Sequence, residues 1–171
     1  MPLSTAIPSN LKRKITIVPE SLLRIDHLFN HPQHVDRVAD WIYAEFWADK
    51  SIHTSASLAA LLRNARTSDR ITISLLAIVD EQPVGTVNLI ENDDDQRLHL
   101  RPWLAALLVV PNFRGRGFGS ALVRAVQQEA VTLGIRTLYL GTDNPGFYAR
   151  LGAAVHEEVT DNFAILRLAV P

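Results

Sequence analysis

Apolar positions recur along this chain in two rhythms, and the switches between them mark out its elements. Val35, Val38, Ala39, Ile42, Tyr43 and Phe46 keep to one face at helical spacing, so a helix is expected to open at His31-Pro32. A second helix, capped by Ser55 or Ser57, is expected to run to about Arg66, bearing Leu58, Leu61 and Leu62. Leu22 to Leu28 has the alternation of a strand, and Ile15 to Val18 has room for a shorter one before Pro19. Ile71–Val79 and Val84–Ile90 read as a hairpin joined by Asp80-Glu81-Gln82-Pro83. Leu100–Val110 is a long strand, and Phe118, Ala121, Leu122, Ala125, Val126 and Leu133 then mark the inner face of a helix. Ser120, Arg124, Gln127 and Gln128 fall on its outer face. That helix spans about 25 Å from Gly117 to Leu133, with Gly134 placed to end it. A strand over Arg136–Leu140, a short helix from Asn144-Pro145 stopped by Gly152, and strands near Ala153–Val159 and Phe163–Val170 complete the order.

The order β-α-α-β-β-β-α-β-α-β-β, with no internal repeat, is that of an α+β (mixed α/β) domain with one sheet flanked by helices. Residues 1–20 contain Pro, Ser and Asn without clear periodicity and read as an N-terminal arm, with a single domain over 21–171. A net charge of −1 gives no support for a nucleic-acid or anionic-membrane partner. No apolar run is long enough for a bilayer span, and Met1–Lys14 lacks the apolar centre of a signal peptide, so the cytoplasm is the expected compartment. The chain has no cysteine, which excludes disulfides and a cysteinyl acyl-enzyme.

Chemistry concentrates in residues 108–120, where Leu108-Val109-Val110 runs through Pro111 into Arg114-Gly115-Arg116-Gly117-Phe118-Gly119-Ser120. Glycines let a ligand approach the backbone closely. The free N–H groups at a helix start suit a phosphate, and two arginines add matching charge. The residues alone leave two readings, an ordinary strand–helix turn or an anion cradle. The Gly-x-x-x-x-Gly-Lys run of a nucleoside-triphosphate loop is missing, and the glycines stand too far past the strand for a dinucleotide fold.

Arg114-Gly115-Arg116-Gly117-Phe118-Gly119 resembles the Arg/Gln-x-x-Gly-x-Gly/Ala signature of the Gcn5-related N-acetyltransferase (GNAT) superfamily, and Asn144 through Gly152 is similar to a second family segment. Two departures stand out: Asn144 lies closer to Tyr148 than is usual, and Ala153 replaces a frequent aromatic. Arg101–Ala106 also resembles a bacterial small-molecule branch of that family. The resemblance implies a mixed sheet of about six or seven strands with about four helices. It implies acetyl-CoA as cosubstrate, its pyrophosphate on Arg114, Gly115, Arg116, Gly117, Phe118, Gly119 and Ser120, and its pantetheine along Leu108, Val109, Val110 and, at the changed spacing, Asn144. A backbone N–H of Leu108 or a neighbour would face the thioester carbonyl. The acceptor would be a small amine or a peptide N-terminus, and a homodimer is left open.

Direct acetyl transfer to an amine needs an acid for the departing thiolate and a base for the ammonium. Tyr148, at the family's tyrosine position, is the expected acid. Glu91, at the end of the third strand, is ranked first as base, with Asp93, Asp95, His99 and Glu45 as alternatives. The acidic run suits a cationic acceptor, and Trp47 is placed to line its groove while Trp41 packs inward. His31, His34 and Asp36 offer metal-ligand types, but Pro32 sets the histidines in a helix-initiating turn without a convincing third ligand. A non-catalytic acyl-CoA-binding module on the same fold is the alternative function.

Overall fold

A computed structural model describes residues 23–171. The expected N-terminal arm and the strand at Ile15–Val18 lie outside the described residues. Seven strands form one sheet in the order β1-β2-β3-β4-β5-β7-β6. They are β1 (Arg24–His27), β2 (Ile73–Val79), β3 (Gln82–Ile90), β4 (Trp103–Val109), β5 (Thr137–Thr142), β6 (Ala153–Thr160) and β7 (Phe163–Ala169). Every neighbouring pair is antiparallel except β4 and β5. The four α-helices are α1 (Val35–Ile42), α2 (Ser55–Asn64), α3 (Phe118–Thr132) and α4 (Pro145–Ala149).

At β2 the sheet is covered on both faces, which explains the unbroken apolar run of that strand. Ile73, Leu75, Ala77 and Val79 face α3, where Leu122, Val123 and Val126 are fully enclosed. Leu76 and Ile78 point the other way, into Val38, Ile42, Leu58 and Leu62 of α1 and α2. Removing a side chain such as Leu122 would leave a cavity costing roughly 2–5 kcal/mol.

Several boundaries differ from the sequence expectation, each for a local reason. Asp80 and Glu81 alone turn the β2–β3 hairpin, both at positive φ (49° and 62°), so Pro83 belongs to β3. It sits beside a register shift next to Ile78, where a missing N–H is tolerated. The cap of α2 is Thr54, not Ser55 or Ser57. Its hydroxyl accepts from the Ser57 N–H at 3.1 Å while Ser57 Oγ accepts from the Thr54 N–H at 2.9 Å. Leu58 and Leu62 are buried, whereas Leu61 is 53% exposed. Gln127, expected outside, is buried because its amide donates to the Ala169 carbonyl at 2.8 Å, where β7 ends. Turns at Arg97 and Leu100, followed by Pro102, delay β4 to Trp103. The first helix continues beyond Ile42 as a wide π turn over Tyr43–Trp47.

Candidate active site

β4 and β5 are in register at a single pair, Trp103 with Tyr139, and the Tyr139 N–H donates to the Pro102 carbonyl at 2.9 Å. Beyond this point the strands part. β4 stays on β3 as far as Val109, crossing a bulge at Ala106, whose φ of 48° is rare for a residue with a side chain. β5 stays on β7. The opening is a cleft of about 800 Å³ walled by Leu104–Leu107, the Gly141–Asn144 segment, and the π turn and its extension to Lys50. Gly141 keeps one wall open, since a Cβ there would lie 2.6 Å from Phe163 Cζ. Peptide groups of β4 turned toward the gap have lost a strand partner, so this edge can receive an extended ligand.

The Arg-Gly turn stands at the far end of β4. The Val110 N–H donates to the Val84 carbonyl at 2.9 Å, holding the strand's end to β3. Arg114 Nε donates to the Val109 carbonyl at 2.8 Å, and Arg116 stacks its guanidinium over Phe113 at 5.0 Å. Gly115 and Gly117 take φ of 74° and 81°, which glycine adopts without strain. Gly117 is the N-cap of α3 and supplies no capping side chain. The first helical bond runs from the Ala121 N–H to the Gly117 carbonyl at 3.0 Å, so the amides of Phe118, Gly119 and Ser120 precede it. Phe118 itself is buried beneath the turn. A Cβ on Gly119 would come within 3.3 Å of Phe147, a residue of the cleft wall, so turn and cleft adjoin.

Tyr148 lines the cleft from α4. That helix is started by Asn144, whose Oδ1 accepts from the Phe147 N–H at 3.4 Å, with Pro145 in its first turn. Asn144 is therefore engaged as a cap while also reaching the cleft. Burial, first, and the charge of Asp143, second, push the Tyr148 phenol up to about 12, so it is protonated throughout the neutral range.

The acidic candidates separate. Glu91 lies on a second cavity of about 730 Å³, not in the cleft that holds Tyr148. Asp93 and Asp94 line both cavities. Asp93 is open to water on one side and crowded on the other. That crowding, first, and Asp94, second, raise it to about 6, with Lys50 pulling the other way. Asp94 is held by Arg97 at 2.6 Å, and Arg97 also grips Glu157 with contacts of 2.5 and 2.8 Å. Asn92 Oδ1 accepts from the Asp94 N–H at 3.0 Å, so the loop is braced rather than merely solvated. Asp95 lines the second cavity, His99 neither, and Glu45 lies in the first, 3.6 Å from Arg114.

The nominated Leu108, Val109 and Val110 lie beyond the cleft's wall toward the Arg-Gly turn, and the neighbouring Ala105, Ala106 and Leu107 line the cleft instead. Trp47 lines both cavities, and Trp41 is half-buried against the α1–α2 core. His31 pairs with Asp26 at 2.9 Å and Asp36 with Arg63 at 2.7 Å. Sequence reasoning missed Lys50 and Asn88, which line cavities without any motif to announce them.

The profile of the acetyltransferase (GNAT) family matches residues 35–153, well over half of the chain, and the chain belongs to that family. Among solved structures, aminoglycoside 6′-N-acetyltransferase complexed with coenzyme A is 17% identical with a TM-score of 0.68, the match covering 86% of this chain and 97% of that one. The structure of yncA from Salmonella typhimurium with its cofactor acetyl-CoA is 14% identical with a TM-score of 0.65, covering 88% and 95%. An acetyltransferase of the GNAT family from Streptococcus pneumoniae is 17% identical with a TM-score of 0.64, covering 88% and 100%. At these identities the likeness establishes the shared fold. No curated protein matches the sequence. Among the described residues, no helix is long and apolar enough to cross a membrane.

Proposed function

We propose that this chain transfers an acetyl group from acetyl-CoA directly to a primary amine of a small molecule or peptide, in the cytoplasm. The observation that carries this is the parting of β4 from β5 beside Tyr148, with the Arg-Gly turn at the end of the same strand. The cosubstrate fits those features. Its pyrophosphate would meet the amides of Phe118, Gly119 and Ser120 with Arg114 and Arg116, and its pantetheine would follow the freed edge of β4.

In the transfer the amine nitrogen attacks the thioester carbon, the N–C bond forms, and the C–S bond breaks with its electron pair on sulfur. A β4 amide near Leu107 or Leu108 would stabilise the developing oxyanion. Tyr148 donates to the sulfur. With the phenol near 12 and a thiol near 8.5, outright transfer would be uphill by about 5 kcal/mol. Tyr148 therefore serves as a hydrogen-bond donor, and the proton crosses only as far as the site raises the basicity of the thiolate too. Asp93, shared by both cavities, is the carboxylate placed to take the ammonium proton, directly or through water. Glu91, the first choice by sequence, would act from the second cavity on the incoming amine.

With no cysteine available, both substrates are expected to be bound together before transfer. Calorimetry with acetyl-CoA, followed by thiol release across an amine panel, tests this function. Tight binding with no release from any amine would leave a non-catalytic acyl-CoA-binding module. Ping-pong kinetics with a trapped acetylated protein would exclude direct transfer.

A further inference from the structure

The second cavity meets the Tyr148 cleft along Trp47, Asp93, Asp94, Ala105 and Ala106, so a molecule seated in one can present a group to the other. Its walls differ in chemistry. On the helical side Leu58 and Leu62 form a buried base, while Leu61 and Ile52 stand 53% and 73% exposed at the rim. Large aliphatic side chains are often exposed singly. Two around one concavity form an apolar surface that lacks a partner. The opposite side carries Glu91, Asp93 and Asp95, and Lys50, the nearby cation, is drawn over the Trp47 ring at 5.0 Å.

Asn88 adds a polar group to these walls. It lines this cavity although only 5% exposed. One end of its amide is engaged by Ser74 Oγ at 2.5 Å. Among the described residues the other end has no protein partner, whichever way the amide is turned. That end is not sealed from solvent, so it stands open to water or to a ligand's polar group in the cavity.

We propose that this cavity holds the body of the acceptor, and that the acceptor is an amphipathic primary amine of the arylalkylamine kind. Its cationic head lies at Asp93, its apolar body between Trp47 and Leu61, and one polar group meets Asn88. This rests on the acetyl-transfer function proposed above and narrows its acceptor. A polyamine could pair its further cations with Glu91 and Asp95 but would leave the apolar wall of Leu58, Leu61 and Leu62 uncovered, so it uses less of the cavity.

The test compares tyramine, 2-phenylethylamine and spermidine as acceptors by thiol release, with acetyl-CoA affinity measured in parallel. Both aromatic amines should exceed spermidine in kcat/KM by roughly tenfold or more, with tyramine ahead through its phenol. Leu61→Gln, at an exposed position that tolerates a polar residue, should raise KM for both aromatic amines several-fold while leaving the acetyl-CoA Kd unchanged. Asn88→Leu should abolish the advantage of tyramine over 2-phenylethylamine. A preference for spermidine, or a Leu61→Gln enzyme with wild-type KM, would overturn the acceptor assignment and leave acetyl transfer standing. Tight acetyl-CoA binding with no release from any of the three or from a wider amine panel would remove the transfer function, and this inference with it.

Discussion

Arg114 and Glu45 face each other across the mouth of the cleft, with Nη2 3.6 Å from Oε2 and both side chains about half exposed (51% and 48%). The same guanidinium is anchored through Nε to the Val109 carbonyl, so its position is set by the backbone rather than by Glu45. Glu45 thus occupies a place that a phosphate of the cosubstrate would contest. An exposed pair of this kind is worth about 0–1 kcal/mol. Glu45→Gln should therefore tighten acetyl-CoA binding by at most about fivefold, and the gain should shrink in high salt. Calorimetry at two ionic strengths reads this directly. A collapse of kcat in the same variant would instead make Glu45 the base.

Gly117→Asp should abolish acetyl-CoA binding while leaving the fold intact. A Cβ at Gly117 meets nothing of the protein within 4 Å, so the folding cost is confined to holding φ at 81°, about 1 kcal/mol for a residue with a side chain. The added carboxylate would stand at the N-cap of α3, where the pyrophosphate is expected. Unaltered affinity in a normally folded variant would remove the Arg-Gly turn from the binding site.

Asp93 should impose a pH limb on acceptor binding. Its carboxyl is raised to about 6, so it is charged above that value and neutral below it. A cationic acceptor prefers the charged form, and KM should rise as pH falls through about 6. Asp93→Asn should show a high KM at neutral pH and lose that limb. Because the folded pKa lies above the usual 3.8, stability should fall as pH rises from about 4 to 6, and Asp93→Asn should resist this loss in thermal melts. A limb that persists in Asp93→Asn would move the titration to another group, with Glu91 the first to examine.

The elements were legible where burial writes a plain apolar pattern, a stripe along α3 and an unbroken run in β2. Gln127 was misjudged because its partner, the Ala169 carbonyl, lies 42 residues away and leaves no local mark. Helical spacing alone does not tell Leu58 and Leu62, in the core, from Leu61, at the rim of a cavity. The Arg-Gly turn could be read because its demands are local: glycines for positive φ, arginines for charge, and a helix start. The separation of Glu91 from Tyr148 into different cavities could not. It depends on the Ala106 bulge and on where β4 leaves β5, both products of pairing between distant strands.

Tyr148→Phe separates an enzyme from a binding module. The variant keeps the ring, its edge-to-face contact with Phe147 at 4.8 Å and its place in the core, and loses only the hydroxyl. If that hydroxyl hydrogen-bonds the departing sulfur, kcat should fall by roughly 10²-fold. Acetyl-CoA affinity should change little, because the lost interaction forms chiefly in the transition state. The pH profile adds a check that packing alone would not move. With the phenol held near 12, wild-type kcat should show no loss of its acid up to about pH 10. A descending limb near pH 8 would assign proton donation to a different group. Wild-type kcat in Tyr148→Phe, with chemistry shown to be rate-limiting, would leave the sulfur to be protonated by water or by the acceptor's own ammonium.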